Sequence, residues 1–264
     1  MDFTDYRHIE FERRGRVLVI RLNRPDQLNA INGRLHTELS RVFTAADADP
    51  DSDVLVLTGS GRAFCAGGDI DWFQLSIDQP VEFEKVAWEA KRIIYSQLDV
   101  EKPLICRLNG HATGLGATLA VCSDIVVASS AAKIGDPHVK VGLVAGDGGA
   151  LLWPALIGHV KAKKYLFTGD LLTAAEAERL GLVSDVVAPE QLDAASYGLA
   201  ERLSQGAIKA IRWTKITANL PLKQLVHSHI DAGIAYEIQS NATADHAEAV
   251  AAFRERRQPV FTGK

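Results

Sequence analysis

The sequence predicts an α/β fold, with short strands alternating with helices over residues 1–190 and helices alone over 191–264. Three observations carry this. Apolar runs of strand length recur, among them residues 54–58 and 124–128. Segments with apolar side chains at helical spacing lie between them. Beyond Pro189 the strand signals vanish.

Taken in order, residues 9–13 and 17–22 read as two strands of a hairpin turning at Gly15. Residues 29–45 carry Ile31, Leu35, Leu39, Val42 and Phe43 at helical spacing, and the acidic stretch 47–53 ends that helix. Residues 54–58 form a continuous apolar run that suits a strand covered on both faces, stopped by Gly59, Ser60 and Gly61. A long helix is expected over 80–98, a strand over 103–108, and a helix over 114–123 entered through Gly114 and Gly116. Residues 124–128 and 132–135 read as strands, 150–157, 161–167 and 174–179 as helices, and 182–187 as a strand. Helices over 192–203, 207–220 and 222–241 close the chain, the last running on toward Arg256. No low-complexity linker separates the two parts, so they are expected to pack as one unit.

With 264 residues, the chain suits one domain, or one domain with a small appendage. Its 47% apolar content supplies a core. A formal net charge of −4, from 29 Lys+Arg against 33 Asp+Glu, argues against nucleic acid held by bulk charge. The apolar runs fall far short of a bilayer span, so no membrane partner is expected. The opening residues are acidic where a signal peptide needs a basic region, which points to the cytoplasm. Cys65, Cys106 and Cys122 lack ligand spacing, so the expectation is buried reduced thiols and no metal site.

Three segments carry chemistry. In residues 61–70 (GRAFCAGGDI), small residues after a strand let the backbone approach a ligand with its amides free; an ordinary tight turn would read the same way. In residues 109–120 (NGHATGLGATLA), a glycine-rich turn opens a helix, where free N–H groups and the helix dipole favour an anion. It has neither a Walker Lys-Ser/Thr pair nor a full dinucleotide fingerprint. Two such loops, each behind a buried strand, can supply two N–H donors to one oxygen, which is how acyl oxyanions are stabilised. In residues 136–149 (DPHVKVGLVAGDGG), His138 and Asp147 offer a titratable pair; a turn histidine and a helix-capping aspartate are the equal alternative.

Together these segments resemble the crotonase family, the enoyl-CoA hydratase/isomerase superfamily. The likeness runs along nearly the whole chain, through residues 22–25 (LNRP), 29–31 (NAI) and 64–70 (FCAGGDI), then Lys102, Pro103, Asn109 and Gly110. It continues through 123–128 (SDIVVA), 166–170 (LFTGD), 177–183 (AERLGLV) and 253–261 (FRERRQPVF). The resemblance implies a spiral of ββα units with C-terminal helices that pack homotrimers, often paired into hexamers. It implies an acyl-CoA thioester, with coenzyme A arriving as part of the substrate and no separate cofactor. The thioester oxygen would sit between the backbone N–H groups of Gly68 and Leu115. Arg24, Asn29, Ala30, Ala66, Gly67, Asp69 and Ile70 would contact coenzyme A, with Phe253, Phe261 and Lys264 toward its nucleotide end. Trp72 and Phe73 would lie where acyl tails enter.

The chain departs from that pattern at the acid–base positions. Enoyl-CoA hydratases carry one glutamate in the helix after the second glycine loop and another after the proline of the third segment. Those positions are Thr118 and His138 here, so the carboxylate pair of syn hydration is missing. His138 and Asp147 are similar to the branch that hydrolyses carbon–carbon bonds of cyclic β-diketones, where such a pair activates water and an enolate leaves. Three readings follow. One is a lyase or isomerase of acyl-CoA, one a hydrolase of a β-dicarbonyl small molecule, and one a catalytically silent acyl-CoA-binding subunit. Among other residues, His111 reads as a polar loop histidine or one that faces the site, Glu237 as a solvated helix-face carboxylate or one that reaches the site across the packing surface, and Trp153 as core or acyl-pocket lining. No serine sits in a nucleophile-elbow context.

Overall fold

The computed structural model describes residues 3–264, the side chains of 82–84 excepted. A hairpin of β1 (Ile9–Arg14) and β2 (Val17–Leu22) leads into α1 (Gly33–Asp47). A strand–strand–helix unit then recurs. Its first copy is β3 (Val54–Gly59), β4 (Ala63–Cys65), α2 (Ile70–Asp78) and α3 (Pro80–Asp99). Next come β5 (Leu104–Leu108), β6 (His111–Thr113) and α4 (Leu115–Val121), then β7 (Ile125–Ser129), β8 (Lys133–Gly135), α5 (Gly149–Ile157) and α6 (His159–Thr168). After β9 (Leu172–Thr173), α7 (Ala174–Leu180) and β10 (Asp185–Val187), the chain closes with α8 (Leu192–Ser204), α9 (Ile208–Asn241) and α10 (Ala244–Glu255).

In each unit the first strand joins a six-stranded sheet, ordered β1-β2-β3-β5-β7-β10, and the second joins a four-stranded sheet, ordered β4-β6-β8-β9. Neighbours from β2 to β10 and from β4 to β8 run parallel, as helical crossovers require. The strand alternation explains why the large sheet is covered twice. Val17, Val19, Val54, Val56, Ile105 and Val127 point to one face, against Leu192 and Ala200 of α8. Their neighbours Leu18, Ile20, Leu55, Leu57, Leu104 and Cys106 join the main core with Leu35, Leu39 and Phe43 of α1. All three cysteines are buried, and burial pushes the Cys65 thiol up to about 12. No helix among the described residues is long and apolar enough to cross a membrane.

The elements differ from the sequence expectation in five places. Residues 29–32 are not helical. Leu28 and Asn29 have φ of 54° and 57°, and buried Asn29 donates from Nδ2 to the carbonyls of Ser60 and Ala63, so α1 starts only after the Asn32 cap. The strands β4, β6 and β9 have two or three residues, too few to show a period. The helix α2 opens at Ile70 behind its Asp69 cap, in a stretch for which no element was expected. Residues 207–220 and 222–241 form one helix with Pro221 inside it. Pro221 removes the bond to the carbonyl of Thr217, and Thr217 lies on an exposed stretch of the helix, where such a loss is best tolerated. That helix stops at Asn241, and Thr243, accepting from the His246 N–H, starts a separate α10.

Candidate active site

The parallel pairing of β4 with β6 places the loops leaving their C-terminal ends side by side. Gly116, in the first turn of α4, makes the close approach possible. A Cβ there would meet the Cys65 carbonyl oxygen at 2.6 Å and its sulfur at 2.8 Å. Ile31 N–H donates to Gly67 O, and Asp69 N–H donates to Ile31 O, which leaves the Gly68 amide between them without a partner in the chain among the described residues. Leu115 is the first residue of α4, and its N–H has no acceptor one turn back. Both residues line one small chamber of about 40 Å³, together with His138, Asp147 and Glu237.

The titratable groups come from three elements. Beyond β8 the chain turns through Asp136 and Pro137 into a short 3-10 helix, His138–Val141. His138 Nδ1 lies 2.5 Å from Asp136 Oδ1. A carboxylate only accepts, so Nδ1 carries the hydrogen. The other ring nitrogen, Nε2, faces Asp147 Oδ2 at 3.5 Å. Asp136 is 1% exposed, Asp147 5% and His138 8%. Burial opposes a charged imidazole, but Asp136 and Asp147 outweigh it and hold the His138 pKa well above its ordinary value. Burial raises the Asp147 pKa above the usual carboxylate range, with His138 acting against it. One oxygen each of Asp136 and Asp147 is buried without a hydrogen bond among the described residues.

Glu237 corrects an expectation. It is not a solvated helix-face carboxylate but lines the chamber, and burial, followed by the Asp147 charge, pushes its pKa up. The cause is a close helix contact. A Cβ on Gly146 would meet Gly233 O at 2.2 Å, so α9 lies tight on the loop before Asp147, and Glu237 follows Gly233 by one turn. The signal was in the sequence, because Val226, Ile230 and Ile234 form a buried stripe that Glu237 extends. Asp136 was also missed, although it stands two residues before His138. Thr118, at the first glutamate position, is buried with its hydroxyl unpartnered among the described residues. Asp136, His138 and Asp147 each present a ligand atom within 4.8 Å of one another.

A larger cleft of about 940 Å³ opens from the chamber and shares Gly68, Phe73 and His138 with it. Arg24, Ala30, Ala66, Gly67, Asp69, Ile70 and Phe253 line it. Arg24 is ion-paired with Asp69 at 3.0 Å. Asn29 stands behind the cleft as a buried turn anchor. Phe261 and Lys264 lie outside the lining, on the tail that docks at the start of α10 through Thr262 and Gly263 N–H donated to Asp245. Trp72 lines the chamber, as does His36, which the sequence alone did not single out. Trp153 is fully buried and packs with Tyr165, and His111 is exposed on β6; neither lines the chamber or the cleft.

Residues 12–264 match the family model described as enoyl-CoA hydratase/isomerase. A crotonyl-CoA hydratase of Syntrophomonas wolfei is 36% identical over 265 residues, covering 98% of this chain and 99% of that protein. A solved enoyl-CoA hydratase/isomerase from Mycobacterium paratuberculosis superposes with a TM-score of 0.89 at 35% identity, over 92% of this chain and 97% of that one. A β-diketone hydrolase from the cyanobacterium Anabaena, solved with (S)-3-oxocyclohexyl acetic acid, gives 0.84 at 32% identity, over 91% and 96% of the two chains.

Proposed function

The chain belongs to the enoyl-CoA hydratase/isomerase family, and on that premise we propose that it acts on an acyl-CoA thioester through an enolate held by the Gly68 and Leu115 N–H groups. His138 and Asp147 move the protons. The observation that carries this reading is convergence: two amides without partners among the described residues and a buried His–Asp pair line the same chamber. A developing negative oxygen beside two preorganised donors is stabilised by roughly 3–4 kcal/mol for each donor. The Phe253-lined cleft that opens from the chamber has room for the coenzyme, with Arg24, Ala30 and residues 66–70 along it. Helix α4 offers Thr118 where a carboxylate would stand, so the proton-transfer roles fall to the titratable groups that do line the chamber, His138 and Asp147, with Glu237 beside them.

The Asp136–His138 contact favours a second reading, hydrolysis of a β-dicarbonyl carbon–carbon bond. An imidazole fixed from behind by a carboxylate is suited to taking a proton from water. Here His138 Nε2 accepts a proton from water, the oxygen adds to one carbonyl carbon, and the carbon–carbon bond breaks. Its electron pair becomes an enolate on the other carbonyl, held by the two amides, and His138 returns the proton to carbon. The named relationship to a β-diketone hydrolase supports this reading, and the hydratase relatives support the first. The C-terminal helices, with Trp213 64% and Tyr236 62% exposed, are proposed to pack a homotrimer or a pair of trimers.

Two assays separate the readings: loss of the crotonyl-CoA enone absorbance, and release of a carboxylic acid from cyclohexane-1,3-dione. His138→Ala is expected to lower the active reaction roughly 10²–10⁴-fold while ligand affinity stays within about threefold. An unaltered rate would remove His138 from the mechanism. Coenzyme A affinity with no turnover in either assay would leave a binding subunit.

A further inference from the structure

His36 of α1 and Glu89 of α3 form a buried polar pair that the proposed reaction does not use. They are 2% and 5% exposed. His36 Nδ1 lies 2.8 Å from Glu89 Oε2, and Thr37 donates its hydroxyl to the other carboxylate oxygen at 2.9 Å. Burial works to raise the Glu89 pKa, but the hydrogen bonds from His36 and Thr37 outweigh it, so the carboxyl lies below the usual range. An ionised carboxylate only accepts, so His36 Nδ1 carries the hydrogen, and the ring orientation is fixed.

That leaves Nε2. No group of the chain among the described residues hydrogen-bonds to it, and it is not among the buried atoms left without a partner. His36 lines the chamber that holds Gly68, Leu115, His138 and Asp147, with the Trp72 ring 5.2 Å from its own. The neighbouring wall is apolar, formed by Ile31, Phe73, Val86 and Ala90. Apolar residues at 36 and 89 would join α1 to α3 at a lower desolvation cost than a polar pair that includes a carboxylate. A pair retained there, with one ring nitrogen unpaired beside the reacting groups, has the form of a ligand contact.

We propose that His36, held by Glu89, hydrogen-bonds an oxygen on the acyl portion of the substrate, so that the chamber selects acyl groups bearing a hydroxyl or keto oxygen. This rests on the reading that the chamber takes the acyl part. A neutral imidazole accepts from a hydroxyl at Nε2, and an imidazolium donates to either oxygen.

Calorimetric binding of acetoacetyl-CoA, 3-hydroxybutyryl-CoA and butyryl-CoA, in a His138→Ala background that suppresses turnover, tests the proposal. With His36 present, at least one oxygenated ligand binds about tenfold more tightly than butyryl-CoA. In His36→Leu that advantage falls below about twofold while butyryl-CoA affinity holds. The double variant His36→Leu with Glu89→Leu removes the stranded carboxylate and gives the same result if the single variant folds poorly. A preference that survives both variants, or no preference with His36 intact, overturns the proposal and leaves the acyl-CoA reading standing. Cyclohexane-1,3-dione against cyclohexanone runs as a coenzyme-free pair. Binding of that pair alone overturns the acyl-CoA reading, and the same tenfold comparison then decides His36. Binding of none of these ligands overturns both.

Discussion

At the scale of single residues, the two nitrogens of His138 have different tasks. Nδ1 is committed to Asp136, and Nε2 faces Asp147 and the chamber. A base must be unprotonated, so activity is expected to rise with pH as His138 loses its proton, at a pH above that of an ordinary histidine. Asp136→Asn removes the first of the charges that raise this pKa. The ascending limb of the pH–rate profile should therefore move to lower pH, with a lower plateau because the tautomer is no longer enforced. An unmoved limb would show that Asp136 does not govern His138. The same shift has a sign for stability. The His138 contribution is present below its unfolded-state pKa and is lost as pH rises through the folded value. The sequence marked His138 and Asp147 because their glycine and proline neighbours are unusual. It did not mark Asp136, since nothing local tells a structural turn aspartate from one that reaches back to an imidazole.

At the scale of elements, the site depends on how closely short strands and helices approach. The α4 helix can start beside Cys65 only because residue 116 has no side chain. Gly116→Ala is expected to lose about 1–3 kcal/mol in chemical denaturation and to lower kcat by moving the Leu115 amide away from Gly68. Unchanged stability and rate would mean that the two loops need no such contact. The glycine loops were legible because a backbone that must approach another backbone requires small residues. The strands beside them were not, because three residues give no period. Glu237 shows a different limit. Its stripe along α9 was readable, but its place in the chamber depends on a contact between Gly233 and Gly146, far apart in sequence. Pro221 misled in the opposite direction, since a proline on an exposed stretch loses one hydrogen bond to water and need not end a helix.

At the scale of the whole molecule, the alternation of strand and helix was legible from periodicity, and the two-sheet winding followed from the family resemblance. The distribution of exposed apolar groups was not, because it depends on which faces the fold leaves uncovered. Val160 and Phe167 of α6 are 85% and 70% exposed, and Trp213 and Tyr236 of α9 are similarly open. Surfaces of this kind mark association. Light scattering coupled to size exclusion should return the mass of three or six chains, and a monomer at micromolar concentration would refute the proposed assembly. The central claim concerns the two amides. Butyryl-CoA carrying ¹³C at its thioester carbonyl reports on them through the infrared stretching frequency of the bound ligand. The account predicts a shift to lower frequency on binding that shrinks in Leu115→Pro, where the N–H is deleted at a helix position that tolerates proline. A bound carbonyl at its solution frequency, or a shift indifferent to that substitution, would contradict it.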